Sequence, residues 1–272
     1  SIQFNITHLL RNRFGTTHYI ADADAVKHVM VNEDKIDEKK ISVIPIGVEN
    51  DSKEFEENAR RKTRAVWNVS PDTVVIGNVA RLTEFKGHKY LLQAIVEVVN
   101  SSTGVLFPII GDGELMDELQ RQATSLHIEK YVRFLGFQDN LNELYPAFDI
   151  YTHSSVELAA EAFPIAILRA LATGLPVVCT KVGGIDLMVE DGVSGYLVKP
   201  EDPKALAESL VKVIRDKKLV MKMGQASFEL FKKKFHAAAM AERVEKVYMN
   251  ALQRNNPQSF PPNNGGISEK SA

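Results

Sequence analysis

The stretch SSVELAAEAFPIAILRALATGLPVVCT, which runs from Ser154 to Thr180, decides the fold of this chain. Its apolar residues recur at helical spacing, which predicts a helix with one face on a sheet, at Ile165, Leu168, Leu171 and Ala172. Gly174 ends this helix, and Pro176 prevents its resumption. The apolar run 177–179 then predicts a short buried strand. The stretch is therefore typical of one helix-strand unit of an α/β protein.

The start of the predicted helix is the first candidate for a binding site. Glu161 lies just before the helix, and Pro164 suits its first turn because a missing N–H group costs nothing there. A helix that starts at the carboxyl edge of a sheet offers free N–H groups and the positive end of its dipole, which together attract an anion such as a diphosphate. An ordinary capped helix-strand unit explains the same residues, and the stretch alone leaves both interpretations open.

The same alternation of buried strands and amphipathic helices extends on both sides of this stretch. The strand patterns are rich in apolar residues, valine and isoleucine above all, and they cover residues 73–81, 105–111, 131–137, 148–154, 177–180 and 195–198. Strands that alternate with helices in this way form a doubly wound parallel sheet. The ligand crevice of such a sheet lies at the carboxyl ends of its strands.

The pattern divides the chain into four parts. Residues 1–47 hold about two strand-helix units, too few for a domain, so we interpret them as the remnant of a neighbouring domain. Residues 48–235 form the main Rossmann-like domain, and the amphipathic helix in residues 236–254 is expected to pack back on the remnant. Residues 255–272 are rich in Pro, Asn, Gly and Ser, which predicts a disordered tail.

The composition of the 272 residues excludes several classes of protein. Hydrophobic residues make up 44% and charged residues 25%, as in ordinary globular proteins, and a formal net charge of -2 gives no support for a nucleic-acid partner. The lone Cys179 excludes internal disulfides and a multi-cysteine metal site, and it fits a reducing compartment. No apolar run approaches about 18 residues, and the first residues lack the pattern of a signal peptide. We expect a cytoplasmic protein, with peripheral membrane contact still open.

Three motifs, in this order and spacing, carry a resemblance to a known family. They are NVARLTEFKG (78–87), EAFPIAILRALATGLPVV (161–178) and VGGIDLMVEDGVSGYLVKPEDPKALAESL (182–210). Together they resemble the family 4 retaining glycosyltransferases of the GT-B fold, over about Ile41 to Leu252. The resemblance implies a GT-B type, Rossmann-like donor domain with an incomplete N-terminal domain.

The resemblance also implies a site for a nucleoside diphosphate sugar. Arg81 and Lys86, on the loop of the first motif, would hold the donor diphosphate, and two cations there would take the place of a metal ion. Glu161 would accept hydrogen bonds from the hydroxyl groups of the donor sugar. The backbone at the helix start, Phe163, Pro164 and Ile165, would add its N–H groups to the diphosphate site. A glycine-containing loop, Gly111, Asp112, Gly113 and Glu114, would border the base pocket together with the loop after Gly136. No metal or other cofactor is expected.

Two positions depart from the family pattern. Arg169 stands eight residues after Glu161, where the family has a second glutamate that accepts hydrogen bonds from the ribose. A guanidinium has five donors and no acceptor, so that role is not simply inherited, although we keep Arg169 among the candidate donor-binding residues. Leu187 stands where the third motif usually has a glutamate after Gly183 and Gly184. Two hydrogen-bond acceptors of the family pattern are therefore missing.

The leading hypothesis is a hexosyltransferase-type enzyme that moves a sugar, with retention, from a nucleoside diphosphate sugar to an unidentified glycan, lipid or small-molecule acceptor. The chain would supply the donor-binding half and is expected not to transfer sugar alone, because most of the family's acceptor-binding domain is absent. The alternative is a non-catalytic nucleotide-sugar-binding or interaction module, which Arg169 and Leu187 favour. Arg81, Lys86 and Glu161 favour the enzyme. An epimerase or phosphorylase of the same architecture fits less well, because the motif sets differ.

Overall fold

The structure, a computed structural model, describes residues 16–50, 53–156 and 163–255. Its strands form two separate parallel sheets, one with two strands near the start of the chain and one with six strands further along. Among the helices in these residues, none combines the length and the apolar character needed to cross a membrane. The predicted disordered tail lies outside the described residues, except for Asn255, which ends the last helix.

The two-stranded sheet belongs to a small unit at the start of the described chain. Strands β1 (Tyr19–Ala21) and β2 (Ile41–Val43) pair in parallel, and helix α1 (Asp24–Asn32) connects them. Its core is small and consists of Ala21, Ile36 and Ile41. The strands are not part of the main sheet. That residues 1–47 are the remnant of a separate domain stays a prediction.

The six-stranded sheet is parallel throughout and has the strand order β5-β4-β3-β6-β7-β8. Its strands are β3 (Val74–Val79), β4 (Val105–Ile110), β5 (Val132–Phe134), β6 (Ile150–His153), β7 (Val177–Thr180) and β8 (Gly195–Val198). Counted from β3, this is the order 3-2-1-4-5-6 of a doubly wound Rossmann fold, which reverses direction between β3 and β6. The predicted fold class is confirmed, and the switch point is where a ligand crevice is expected.

Helices cover both faces of this sheet because its strands are apolar on both sides. The helices of the large unit are α2 (Lys53–Val66), α3 (His88–Ser101), α4 (Met116–Ser125), α5 (Leu141–Leu144), α6 (Ile165–Ala172), α7 (Pro203–Ile214), α8 (Lys217–Lys234) and α9 (Ala237–Asn255). Helices α3, α4 and α7 bury their apolar residues against one face. On the other face α5, α6 and the last turns of α8 pack around Phe148 and Tyr151.

A charged cluster holds the amino edge of the sheet, opposite the predicted crevice. Asp149, just before β6, accepts hydrogen bonds from Arg60 at 2.5 Å and from Arg64 at 3.0 Å, both on α2. Its second oxygen also accepts from the backbone N–H of Val75 on β3, at 2.8 Å. The carboxylate thus joins α2 to the starts of the two strands that flank the switch point.

The last helix, α9, begins beside the segment that joins the two units. The N–H of Val48 donates to the carbonyl of Phe235 and the N–H of Ala237 donates to the carbonyl of Val48, each at 3.0 Å. Gly47 packs so closely on the start of α9 that an added Cβ would lie 2.9 Å from the Cβ of Met240. These bonds fix α9 to the connecting segment. The prediction that α9 packs more widely on the remnant stays a prediction.

Candidate functional site

The candidate site lies at the carboxyl edge of the sheet, around the switch point between β3 and β6. The loop after β3 and the start of the loop after β6 contact each other directly. The hydroxyl of Ser154 donates to the carbonyl of Lys86 at 2.9 Å, and the N–H of Val156 donates to the carbonyl of Phe85 at 2.9 Å. The loop with the two predicted cations is therefore held against the end of β6.

The loop after β3 presents Arg81 and Lys86 on a rigid base. Between them Leu82 is fully buried, while Arg81 is exposed and Lys86 is half-buried. The backbone of Leu82 also bonds the neighbouring loop, since its N–H donates to the carbonyl of Asp112 at 2.9 Å and its carbonyl accepts from the N–H of Leu115 at 3.1 Å. Arg81 thus lies beside the anchored Leu82 and Lys86 ends the short turn Glu84–Lys86, both at the edge where the crevice is expected.

The glycines of the loop after β4 allow this close approach. Gly111 has φ +136°, and a Cβ added to it would lie 1.9 Å from the carbonyl oxygen of Ala80; a Cβ on Gly113 would lie 2.4 Å from that of Leu82. Asp112 accepts a hydrogen bond from the N–H of Gly113 at 2.8 Å, so its carboxylate shapes the loop, and Glu114 is exposed. The two loops therefore meet backbone to backbone, and the role of this loop in a base pocket stays a prediction.

The loop after β5 joins the same edge. The carbonyl of Gly136 accepts a hydrogen bond from the N–H of Gly111 at 2.8 Å. Gly136 has φ +65°, and the ring of Phe137 beside it is 75% exposed. The structure thus brings together three of the predicted segments, namely those after β3, β4 and β5.

The start of α6 differs in detail from the sequence-based prediction. Pro164 precedes the helix in an extended conformation, with ψ 108°, and the helix begins at Ile165. The ring of Phe163 is buried against Phe235, with ring centroids 5.6 Å apart. Proline has no N–H group, and the N–H groups of Ile167 and Leu168 donate to the carbonyl of Pro164, so the donors that this helix start offers are those of Ile165 and Ala166. Glu161 lies outside the described residues.

Arg169 lies one turn into α6 and faces α5. Its Nη1 donates to Oδ1 of Asn142 at 2.5 Å, and it lines a small hollow together with Glu49, from the segment between the units, and Glu56, on α2. Asn142 follows the loop of Gly136 and Phe137, which is part of the carboxyl edge. These contacts place Arg169 against α5 and near the start of α2, and its role in donor binding stays a prediction.

Polar side chains buried beneath the switch point were not singled out from the sequence. On one face of the sheet Asn78, His88 and Thr152 are almost fully buried. On the other face His153 lies 3.3 Å from the hydroxyl of Tyr151 and 3.1 Å from that of Ser155. The sequence contains little that would indicate this buried polar group. His88 stands at the start of a predicted helix, and the other residues stand at the ends of predicted apolar strands.

The pKa of His88 is lowered to about 3, mainly because burial disfavours the charged imidazolium. The electrostatic interactions of His88 with His153 and with Lys86 lower its pKa further. His88 therefore stays neutral in the folded protein throughout the physiological pH range, next to the loop that carries two cations.

We expect His88 to make the folded protein less stable as the pH falls. Its folded pKa of about 3 lies below the unfolded value of 6.5, so unfolding takes up a proton between these values and stability is lost as the pH falls below 6.5. Between pH 7 and pH 5 this amounts to roughly 2 kcal/mol. Urea unfolding at both pH values measures it, with His88→Gln as the variant that lacks the titration. Equal pH dependence in the two proteins would contradict the assignment.

The chain matches a known protein family. The model of the family "Glycosyl transferases group 1" matches residues 59–230, which is more than half of the chain. The chain belongs to this family. Among the described residues, no group of three or more His, Cys, Asp or Glu side chains is arranged to hold a metal ion.

Curated relatives and solved structures agree with this membership. The chain is 32% identical over 218 residues to the D-inositol 3-phosphate glycosyltransferase of Corynebacterium jeikeium, covering 76% of the chain and 51% of that protein. It is 27% identical over 187 residues to the N-acetyl-alpha-D-glucosaminyl L-malate synthase of Bacillus anthracis, covering 69% of the chain and 48% of that protein. The structure of Anabaena HepE in complex with UDP has a TM-score of 0.78 and 26% identity, covering 89% of this chain and 65% of that one. The chain thus spans about half the length of the curated relatives it matches.

Proposed function

We propose that this chain is the donor-binding half of a family 4 retaining glycosyltransferase, which moves a sugar from a nucleoside diphosphate sugar to an acceptor. One observation carries the proposal: Arg81 and Lys86 sit on an anchored loop at the switch point, beside the loop that leads to α6. Family membership and the structural likeness to UDP complexes of HepE support it. The retaining outcome rests on the motif resemblance alone.

The chemistry that these residues supply is stabilisation of a leaving diphosphate. As the bond between the sugar and the diphosphate breaks, negative charge grows on the phosphate oxygens. Arg81 and Lys86 stabilise that charge at the transition state, and the N–H groups at the start of α6 add to the same field. Two cations on this loop leave no need for a metal ion in our proposal. Glu161 is proposed to accept hydrogen bonds from the sugar hydroxyls.

We propose UDP as the first nucleotide to test, because HepE has been solved with UDP and with UDP-glucose. The base of UDP would lie between the loop of Gly111 to Glu114 and the loop after Gly136. The hydrogen bond from the N–H of Gly111 to the carbonyl of Gly136 joins these two loops. The lone cysteine and the use of an activated nucleotide fit a cytoplasmic protein.

The acceptor is not assigned, and the named relatives differ in it. Their names include L-malate, D-inositol 3-phosphate and a diphosphoundecaprenol-linked sugar. A glycan, lipid or small-molecule acceptor is therefore proposed, and peripheral membrane contact is compatible with the lipid case. The second candidate function is a non-catalytic nucleotide-sugar-binding module, which Arg169 and the exposed Leu187 favour because both remove an acceptor.

Calorimetry with the purified chain tests the donor site directly. UDP, GDP and ADP are titrated at fixed ionic strength, each beside its monophosphate. We expect at least one diphosphate to bind about tenfold more tightly than its monophosphate, because a charged contact to the second phosphate is worth about 1.5 to 3 kcal/mol. Equal binding of diphosphates and monophosphates would contradict the site. Acceptor-dependent transfer by the chain alone would contradict the proposal that it is half of an enzyme.

Arg169→Glu is expected to tighten binding of the nucleoside diphosphate about threefold to tenfold, the worth of about one hydrogen bond. The physical reason is that a glutamate one turn into α6 supplies the acceptor for ribose hydroxyls that a guanidinium lacks. Calorimetry with UDP measures this, and Arg169→Gln is the matched variant that removes the charge without adding a carboxylate. The gain should vanish with 2',3'-dideoxy-UDP. A gain that persists with the dideoxy nucleotide would mean that ribose recognition is not its cause.

A further inference from the structure

We propose that His88 is a positioning residue of the diphosphate site: as a neutral imidazole it ties the end of the cation-bearing loop to strands β3 and β6. The inference rests on the proposed function, since it assumes that Arg81 and Lys86 bind a diphosphate. His88 is almost fully buried, so its effect on the nucleotide would pass through the loop and not through direct contact.

A chain of hydrogen bonds from the side chain of His88 through the side chain of Asn78 to the backbone carbonyl of Thr152 makes this connection. His88 is the first residue of α3 and follows Lys86 and Gly87 directly. Its Nε2 lies 3.0 Å from Oδ1 of Asn78 on β3, and Nδ2 of Asn78 donates to the carbonyl of Thr152 on β6 at 2.9 Å. The chain therefore crosses the switch point between β3 and β6, immediately beneath the cation-bearing loop.

The same chain fixes which nitrogen of His88 carries the proton. Because Nδ2 of Asn78 donates to Thr152, its Oδ1 is the atom that faces His88, and an amide oxygen only accepts. Nε2 of His88 must therefore be protonated. Nδ1, the other ring nitrogen, is buried and has no hydrogen-bond partner among the described residues. A proton placed there would add a buried charge with no acceptor in that part of the chain.

The charges around His88 also keep it neutral. Lys86, on the turn before it, and His153, on β6, both disfavour a positive imidazole. A separate group lies near the start of α3, where the ammonium of Lys89 bonds Glu84 at 3.3 Å and Tyr90 interacts with Glu201, which precedes α7. His88 can therefore anchor the loop without adding a third positive charge that varies with pH.

Close packing makes the loop depend on this anchor. Gly87 has φ +61°, and a Cβ added to it would lie 2.2 Å from the carbonyl oxygen of Ser154, so the backbone of the turn is pressed against the end of β6. If the Nε2–H of His88 is removed, the buried Oδ1 of Asn78 loses its donor. The turn then loses one of the contacts that hold it in place, and Lys86 becomes less well oriented.

The test compares two variants. His88→Leu fills the same space with an apolar side chain that cannot donate a hydrogen bond, whereas the amide of His88→Gln can still donate to Asn78. His28→Leu, at an exposed position on α1, is the control. We expect His88→Leu to bind UDP about tenfold more weakly, the effect of one buried hydrogen bond lost, and His88→Gln to recover most of that loss. The amide protons of Lys86 and Gly87, which bond the carbonyls of Thr83 and Glu84, should exchange faster in His88→Leu at equal global stability.

Nitrogen-15 spectra of the imidazole supply a readout that simple packing would not move. We expect His88 to remain protonated at Nε2 and unprotonated at Nδ1 from pH 8 to pH 5. Protonation at Nδ1, or titration near pH 6.5, would overturn the proposal. So would unchanged UDP affinity and amide exchange in a folded His88→Leu protein. If the unmodified chain binds no nucleoside diphosphate, the proposed function fails, and the spectra and the amide exchange still decide the role of His88.

Discussion

The double variant Arg81→Ala, Lys86→Ala is expected to bind a nucleoside diphosphate at least a hundredfold more weakly than the unmodified chain. Each charged hydrogen bond is worth about 1.5 to 3 kcal/mol, so the loss of two exceeds about 2.7 kcal/mol even if their effects are not fully additive. Both residues stand on the loop after β3 that the structure anchors to β6 and to the loop after β4. Calorimetry with UDP at about 0.15 M salt measures the effect.

A matched control removes two positive charges elsewhere. Arg121 on α4 and Lys204 on α7 are exposed and lie outside the candidate site. The double variant Arg121→Ala, Lys204→Ala should therefore change UDP affinity by less than about threefold. A change of that size reflects only the long-range attraction between the net charge of the protein and the anionic nucleotide. If both double variants weaken binding equally, the cations act through net charge and the site assignment is wrong.

Gly111→Ala is expected to cost at least about 3 kcal/mol of folding free energy and to abolish tight nucleotide binding. Two costs combine: an alanine at φ +136° is strained, and its Cβ would lie 1.9 Å from the carbonyl oxygen of Ala80. Because the obstacle is backbone, the loops after β3 and β4 must separate, which moves Arg81. Urea unfolding and UDP calorimetry measure the two effects.

Gly136→Ala is the matched control for this change. Gly136 also has a positive φ, +65°, but an added Cβ meets no atom of the described residues within 4 Å. Its substitution should cost only about 1 kcal/mol, the ordinary cost of a left-handed conformation for alanine. Similar destabilisation by both substitutions would show that close approach of the two loops is not what requires Gly111.

The sequence determined the centres of the elements better than their ends. The strand predicted at residues 131–137 ends at Phe134, because Gly136 takes a positive φ that leaves the extended conformation. This moves Phe137 from a strand to the carboxyl edge. Pro164, predicted in the first turn of α6, precedes the helix instead. Strand interiors were predictable because apolar runs have few other stable positions, whereas ends depend on single backbone angles.

What the sequence by itself determined is the class of fold and the identity of the candidate cations. Apolar strands that alternate with amphipathic helices bury their apolar side chains best in a parallel sheet that helices cover on both faces. The resemblance that the three motifs carry then implied Arg81 and Lys86 as the candidate cations, and their placement beside the switch point follows from the order of the strands. Domain boundaries and the role of Glu161 stay predictions.

Only the tertiary structure decided how the site is supported. Asn78, His88 and Thr152 are separated in the sequence and become one buried hydrogen-bonded group only when β3 and β6 pair and α3 packs on them. Likewise, the need for glycine at Gly111 arises from Ala80, which lies on a different loop. Burial and hydrogen bonding join residues that are distant along the chain, so a local sequence pattern cannot report them.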